Sequence, residues 1–153
     1  MQPGDRLPDL ALPGTGGREV SLRSLVGKPL VLYFYPRDAT PGCTQQARDF
    51  AALHGAFSDA GVRVIGVSRD TVGSHERFRD RQSLPFELLS DRDEVLCRTF
   101  DVLKEKSMYG RKVIGIERST FLFDASGTLV QAWRKVKVPG HAQAVLDAAR
   151  TLA

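Results

Sequence analysis

The sequence predicts an α/β protein built around a mixed β-sheet. Three observations lead to this fold class. Apolar runs typical of buried strands alternate with helical segments over the first two thirds of the chain. Two further apolar runs flank a turn at residues 124–127, and the final segment has helical periodicity. Alternating strands and helices indicate one layered structure, and the late hairpin makes its sheet mixed rather than wholly parallel.

Proline and glycine residues mark the boundaries of the predicted elements in the first part of the chain. Short strands at 10–12 and 19–22 flank a Pro- and Gly-rich turn, which predicts an N-terminal β-hairpin. The run Leu30–Tyr35 is continuously apolar and aromatic, which is typical of a strand buried on both faces. Pro36 ends this strand, and a helix is expected from about Gly42 to Asp59.

The rest of the chain continues the alternation. In order, the pattern predicts a strand at Val62–Val67, a polar helix at Ser74–Gln82 with Ser74 as its candidate cap, a strand at Phe86–Leu89, a helix at Asp93–Phe100, paired strands at Thr120–Phe123 and Leu129–Val136, and a helix at His141–Leu152. This order fits a thioredoxin-like three-layer α/β/α architecture over residues 1–153 as a single domain. A flavodoxin-like sheet fits the same pattern.

Composition excludes several classes of protein. Of the 153 residues, 42% are hydrophobic and 26% are charged, which rules out a disordered or fibrous chain. No apolar run approaches the length of a membrane span and no signal peptide is evident, so we expect a complete cytoplasmic protein without membrane partners. The net charge of +4 favours a solvated basic face over a nucleic-acid-binding surface, because no recognition motif accompanies it.

The two cysteines, Cys43 and Cys97, are the residues with the clearest chemical potential. Two thiols are too few for a disulfide scaffold or a four-thiolate zinc site, and they lack the C-x-x-C spacing of a dithiol. No other metal-ligand set or phosphate-binding loop is present in the sequence. Each cysteine is therefore either a buried hydrophobic residue or a reactive thiol.

Cys43 lies where a buried strand gives way to a helix. Pro41 and Gly42 suit the turn into that helix, which puts Cys43 in its first turn beside free backbone N–H groups. These groups and the helix dipole stabilise a thiolate more than a thiol. A helix-start residue that simply packs inward fits the same position. His54 is eleven residues away, roughly 16 Å along a helix, so a Cys–His pair between them is excluded.

A family resemblance rests on these same residues. Pro36, Thr40 and Cys43 form P-x-x-x-T-x-x-C, which is similar to the active-site signature of the peroxiredoxins. The string from 33 to 44 resembles their bacterioferritin-comigratory, or Q-type, subfamily. Further matching segments run in order along the whole chain: 4–5, 7–10, 27–30, 64–68, 85–86, 115–121 and His141.

The resemblance implies a thiol-specific peroxidase that reduces hydrogen peroxide and alkyl hydroperoxides. Cys43 matches the peroxidatic cysteine, Thr40 the hydroxyl that contacts thiolate and peroxide, Pro36 the proline that shields the pocket, and Arg118 the distant arginine that completes the site. The backbone N–H groups of Gly42 and Cys43 are expected to bind the peroxide. No bound cofactor is expected, since the cysteine carries the redox chemistry.

The chain departs from the resemblance at the resolving thiol, which would condense with oxidised Cys43. The usual positions hold Arg48 or fall within 74–82, where no cysteine occurs, and we expect no C-terminal arm carrying one. Cys97 is the remaining candidate, with a buried inert thiol as the favoured interpretation.

If Cys97 does not resolve, thioredoxin or glutaredoxin with glutathione would supply the thiol, and Arg48 is a candidate contact for an acidic reductase. We expect a monomer or weak homodimer. A redox-sensing or holdase module on the same fold is the alternative function.

Overall fold

The computed structural model describes residues 1–152, and its centre is a seven-stranded mixed sheet. The nine strands are β1 (Ala11–Gly14), β2 (Arg18–Ser21), β3 (Leu30–Phe34), β4 (Arg63–Ser68), β5 (Glu87–Ser90), β6 (Leu103–Met108), β7 (Arg111–Ile116), β8 (Ser119–Phe123) and β9 (Leu129–Trp133). The five α-helices are α1 (Pro41–Ala52), α2 (His54–Asp59), α3 (Val72–Gln82), α4 (Val95–Thr99) and α5 (His141–Arg150). No helix in the described residues is long and apolar enough to cross a membrane.

The strand order of the large sheet is β2-β1-β5-β4-β3-β8-β9, with β3, β4 and β5 parallel and the other pairings antiparallel. The expected mixed sheet and N-terminal hairpin are therefore confirmed. Strand β3 lies between a parallel and an antiparallel neighbour, and all five of its residues are buried. This explains its uninterrupted apolar sequence, because both of its faces meet helices or loops.

Two hydrophobic clusters cover the two faces of the sheet, as the alternation of side chains along β3 shows. Val31 and Tyr33 pack with Phe50 of α1, together with residues of α2, α3 and α5. Leu32 and Phe34 point the other way and pack in a separate cluster that includes residues of α4. The structure therefore has the three layers expected from the sequence.

Several boundaries differ from the sequence prediction. The predicted helix 42–59 is two helices that meet at Leu53, whose backbone leaves the helical region (φ −96°, ψ 3°). Helix α3 is capped by Thr71, whose hydroxyl accepts from the Ser74 N–H at 3.0 Å, so Ser74 is not the cap. Helix α4 begins only at Val95, and β9 ends at Trp133.

The hairpin β6–β7 was not predicted. Its strands pair antiparallel from Leu103↔Ile116 to Met108↔Arg111. Most of their side chains are exposed, so neither strand buries a continuous face. Without a buried face the sequence has no apolar alternation to reveal a strand. The hairpin carries the chain to Arg118, immediately before β8.

Candidate active site

The thiol of Cys43 lies at the amino-terminal end of α1, where β3 has just ended. Thr40 is the N-cap of this helix, Pro41 its first residue and Cys43 its third. Cys43 is 2% exposed and packs in the cluster of hydrophobic residues above β3. The predicted position in the first helical turn is therefore confirmed, and the sulfur lies at the base of a protected site.

Two backbone amides at this helix start have no helical partner. The first helical hydrogen bond of α1 runs from the Thr44 N–H to the Thr40 carbonyl at 2.8 Å. The N–H groups of Gly42 and Cys43 precede it, so they are free of the helix ladder. An N-cap side chain normally accepts from one of these two positions, but Thr40 forms no such bond. Both amides therefore remain as donors next to the sulfur.

The Thr40 hydroxyl instead donates to the Arg37 carbonyl at 2.9 Å. Among the described residues it forms no hydrogen bond with the sulfur of Cys43, and the contact with thiolate and peroxide that the resemblance implies stays a prediction. The reason is that a hydroxyl has one proton to donate, and the nearby backbone carbonyl takes it. The oxygen of Thr40 keeps its lone pairs and is left as an acceptor.

The guanidinium of Arg118 contacts the thiol directly. Its Nη2 donates to the Sγ of Cys43 at 3.4 Å, and its Nη1 donates to the Oε1 of Gln46 at 2.6 Å. A Cβ placed on Gly42 would lie 3.2 Å from this Nη2, so only glycine leaves the guanidinium its full space. The structure thus brings Arg118 and Cys43 together across 75 residues of sequence.

Gln46 is a member of this site that the sequence reasoning missed. It lies one turn after Cys43 and is 1% exposed, and its Nε2 is buried without a hydrogen-bond partner in residues 1–152. A buried side-chain amide usually has hydrogen-bond partners for both its oxygen and its nitrogen. In Gln46 only the oxygen is paired, with Arg118, so we interpret Gln46 as a residue that positions the arginine. A glutamine in a polar helical stretch resembles a surface residue, so the sequence held no signal for it.

A buried polar network lies beneath the loop that joins β3 to α1. Asp38 accepts hydrogen bonds from the Tyr35 hydroxyl at 2.6 Å, the Ser74 hydroxyl at 2.8 Å and His75 Nδ1 at 2.7 Å. The other ring nitrogen of His75 lies 2.9 Å from the Leu89 carbonyl. Burial alone would raise the pKa of Asp38, but the hydrogen bonds from His75, Tyr35 and Ser74 hold it below its ordinary value.

This network also contains the one group of potential metal ligands in the described residues, namely Asp38, Asp70 and His75. Their ligand atoms are already used in hydrogen bonds to protein groups: Asp70 Oδ2, for example, accepts from the backbone N–H of Asp38 at 2.8 Å. The network therefore anchors the loop to α3 rather than presenting an open metal site.

The remaining sequence candidates occupy different surroundings. Pro36 is half-buried two residues after the end of β3, and Arg48 is exposed on α1. His141 is buried, with its Nε2 2.7 Å from the Thr120 hydroxyl; burial and the charge of Arg118 lower its pKa to about 4. Neither His75 nor His141 is hydrogen-bonded to Cys43 in residues 1–152.

Cys97 lies on the other side of the sheet from Cys43. It is fully buried in the cluster that contains Phe34 and Phe100, whereas Cys43 belongs to the cluster of Tyr33. Burial and a hydrogen bond to Asp91 raise the pKa of the Cys97 thiol far above its ordinary value. Both cysteines are free thiols.

Comparison with known proteins agrees with this geometry. A model of the AhpC/TSA family matches residues 3–132. The chain belongs to the AhpC/TSA family. Peroxiredoxin Bcp of Xanthomonas campestris is 58% identical over 140 residues, covering 92% of this chain and 88% of the relative. Peroxiredoxin Bcp of Bacillus subtilis is 47% identical over 149 residues, covering 97% and 93%.

A solved structure of the Xanthomonas campestris bacterioferritin comigratory protein superposes with a TM-score of 0.89 at 56% identity. The match covers 94% of this chain and 91% of that one. That structure was described for alkyl peroxide reduction by its protein. The Q-type peroxiredoxin resemblance and the thioredoxin-like fold are thereby confirmed. The chain is a peroxidase of this family, and the alternative of a redox-sensing or holdase module is not favoured.

Proposed function

We propose that Cys43 is the peroxidatic nucleophile and that the site reduces hydrogen peroxide and alkyl hydroperoxides. The observation that carries this proposal is the Arg118 guanidinium, which donates to the Cys43 sulfur at 3.4 Å, together with the free N–H groups of Gly42 and Cys43 at the start of the same helix. Groups of this kind favour negative charge on a nearby sulfur, and the thiolate is the reactive form of cysteine.

The reaction balances as follows. The thiolate attacks one peroxide oxygen, an S–O bond forms and the O–O bond breaks. The departing hydroxide or alkoxide takes up a proton, and Cys43 becomes a sulfenic acid. Negative charge moves from sulfur to the leaving oxygen, so fixed donors around both oxygens lower the barrier. The lone pairs of Thr40 would accept the O–H of the peroxide, because its own proton is held by the Arg37 carbonyl.

We propose a one-cysteine mechanism for this chain. Cys97 is buried on the opposite face of the sheet, and a disulfide needs Cα atoms within about 7 Å. The resolving thiol then comes from outside, with thioredoxin or glutaredoxin with glutathione as the expected reductants. A cytoplasmic location is supported by the two free thiols. A monomeric or weakly dimeric state stays a prediction.

The experiment is the intact mass of the reduced protein after one equivalent of hydrogen peroxide, without reductant. A gain of one oxygen that Cys43→Ser abolishes supports both the nucleophile and the one-cysteine mechanism. A loss of two hydrogens, with a Cys43–Cys97 cross-linked peptide, would show that Cys97 resolves. An unchanged mass would refute Cys43 as the peroxidatic residue.

A further inference from the structure

A second pocket lies on the α3 side of the loop that carries Thr40. Its volume is about 210 Å³. The loop contributes Arg37 and Ala39 to its wall, and α3 contributes Arg77, Phe78 and Arg81. Phe78 is buried and contributes an aromatic ring to a lining that is otherwise mainly polar and rich in arginine.

The pocket carries more positive than negative charge. Arg37, Arg77 and Arg81 are exposed, and within residues 1–152 none of them takes part in a salt bridge. Asp38 and Asp70 also line the pocket and keep their negative charges, but their oxygens already accept hydrogen bonds within the network beneath the loop. Three guanidinium groups therefore outnumber two carboxylates, and their N–H donors are available to bind a carboxylate of a small anion.

The wall of the pocket and the thiol belong to one short stretch of chain. Ala39 precedes Cys43 by four residues, so the two Cα atoms are at most about 14 Å apart. The one other thiol in the chain, Cys97, is buried on the far face of the sheet. An external thiol must therefore be brought to Cys43, and a carboxylate anchored among the arginines would leave the rest of a small molecule to reach the sulfur.

We propose that this pocket binds a small thiol carrying carboxylate groups, which then reduces oxidised Cys43. The proposal rests on the proposed function. The thiol R–SH condenses with the sulfenic acid, forming an S–S bond and releasing water. A second R–SH attacks the mixed disulfide, which yields R–S–S–R and returns Cys43 to its thiol. Two electrons pass from two thiols to the peroxide in the full cycle.

The test compares two probe thiols in the reduction of oxidised Cys43: mercaptosuccinate, with two carboxylates, and neutral 2-mercaptoethanol. Each rate is measured for the wild type, for Arg77→Glu/Arg81→Glu, and for Arg23→Glu/Arg63→Glu. The last variant carries the same charge change on exposed arginines elsewhere. The pocket variant is expected to lose about fivefold or more with mercaptosuccinate and to stay about unchanged with 2-mercaptoethanol. The control variant is expected to stay close to wild type with both.

Equal losses in the two double variants, or equal losses with the two thiols, would overturn the proposal. So would a strict requirement for a protein reductase. Added salt provides a second measurement on the unaltered protein, since it should slow only the mercaptosuccinate reaction. The peroxide step is recorded separately without thiol. If that step fails, the proposed function fails; if it is intact while the charge dependence is missing, only the thiol pocket is refuted.

Discussion

Replacing Arg118 by lysine keeps the positive charge but removes the planar guanidinium, whose two terminal nitrogens form a fork. The fork makes two contacts at once, with the Cys43 sulfur at 3.4 Å and with the Gln46 oxygen at 2.6 Å. A single ammonium cannot hold both. A hydrogen bond to an ionised group contributes about 1.5–3 kcal/mol, which corresponds to roughly ten- to 150-fold in rate. Because the sulfur contact already exists before the reaction, the lower end applies, and we expect a loss of about tenfold.

The assay is single-turnover consumption of hydrogen peroxide by the reduced protein. Arg134→Lys is the matched control, because Arg134 donates to the carbonyls of Phe100 and Asp101 and has no contact with Cys43 in residues 1–152. This control should keep the wild-type rate. If Arg118→Lys reacts as fast as the wild type while its fold is intact, the two-contact reasoning is refuted.

Three further changes test other parts of the structure. Gly42→Ala should slow peroxide consumption by roughly three- to tenfold, because the new Cβ lies 3.2 Å from Arg118 Nη2. The control Gly55→Ala, whose Cβ meets nothing within 4 Å, should leave the rate unchanged. Equal rates for the two variants would refute the steric argument. Cys97→Ala should lower the free energy of unfolding in urea by about 1–2 kcal/mol and leave turnover with dithiothreitol intact; lost turnover would mean that Cys97 takes part. The pKa of His141, about 4 when folded, lies below its ordinary value of 6.5, so the unfolded chain binds the proton more tightly. As the pH is lowered from 6.5 to 4, the free energy of unfolding should therefore fall by about 1.4 kcal/mol per pH unit. His141→Gln should flatten this slope, and an unchanged slope would contradict the pKa shift.

The parts of the fold that could be predicted are those where burial leaves a local pattern. Strand β3 was found because it is buried on both faces and because Pro36 follows two residues after its end. The break at Leu53 was missed because the apolar period continues across it, with Phe50 and Phe57 both fully buried. The hairpin β6–β7 was missed because most of its side chains face solvent.

The site shows the same division between local and distant information. Pro41 and Gly42 mark a helix start, so the position of Cys43 followed from neighbouring residues. Arg118 comes from another strand connection, and only the family resemblance pointed to it. The role of Gln46 depends on a contact with Arg118, which is 72 residues away and which no local spacing encodes. The hydrogen bond of Thr40 is local, to a carbonyl three residues earlier, but the same sequence would fit a threonine that caps the helix.

The free amides at the start of α1 carry a cost in stability. A side-chain N-cap contributes about 1 kcal/mol, and Thr40 forgoes it by donating to the Arg37 carbonyl. The preceding residue, Ala39, has a positive φ of 63°, which costs a further 1–2 kcal/mol or so. Both costs fall on the loop that leads to the free amides of Gly42 and Cys43.

The network beneath the loop offsets these costs. Asp38 lies between the strand end and the strained Ala39, and Tyr35, Ser74 and His75 each donate a hydrogen bond to it. Hydrogen bonds to a charged group are worth about 1.5–3 kcal/mol each, so this one side chain can balance the uncapped helix and the strained residue. The loop that carries the free amides is thus held by a carboxylate that accepts three side-chain hydrogen bonds. The geometry around Cys43 therefore depends on groups that form no hydrogen bond with its sulfur in residues 1–152.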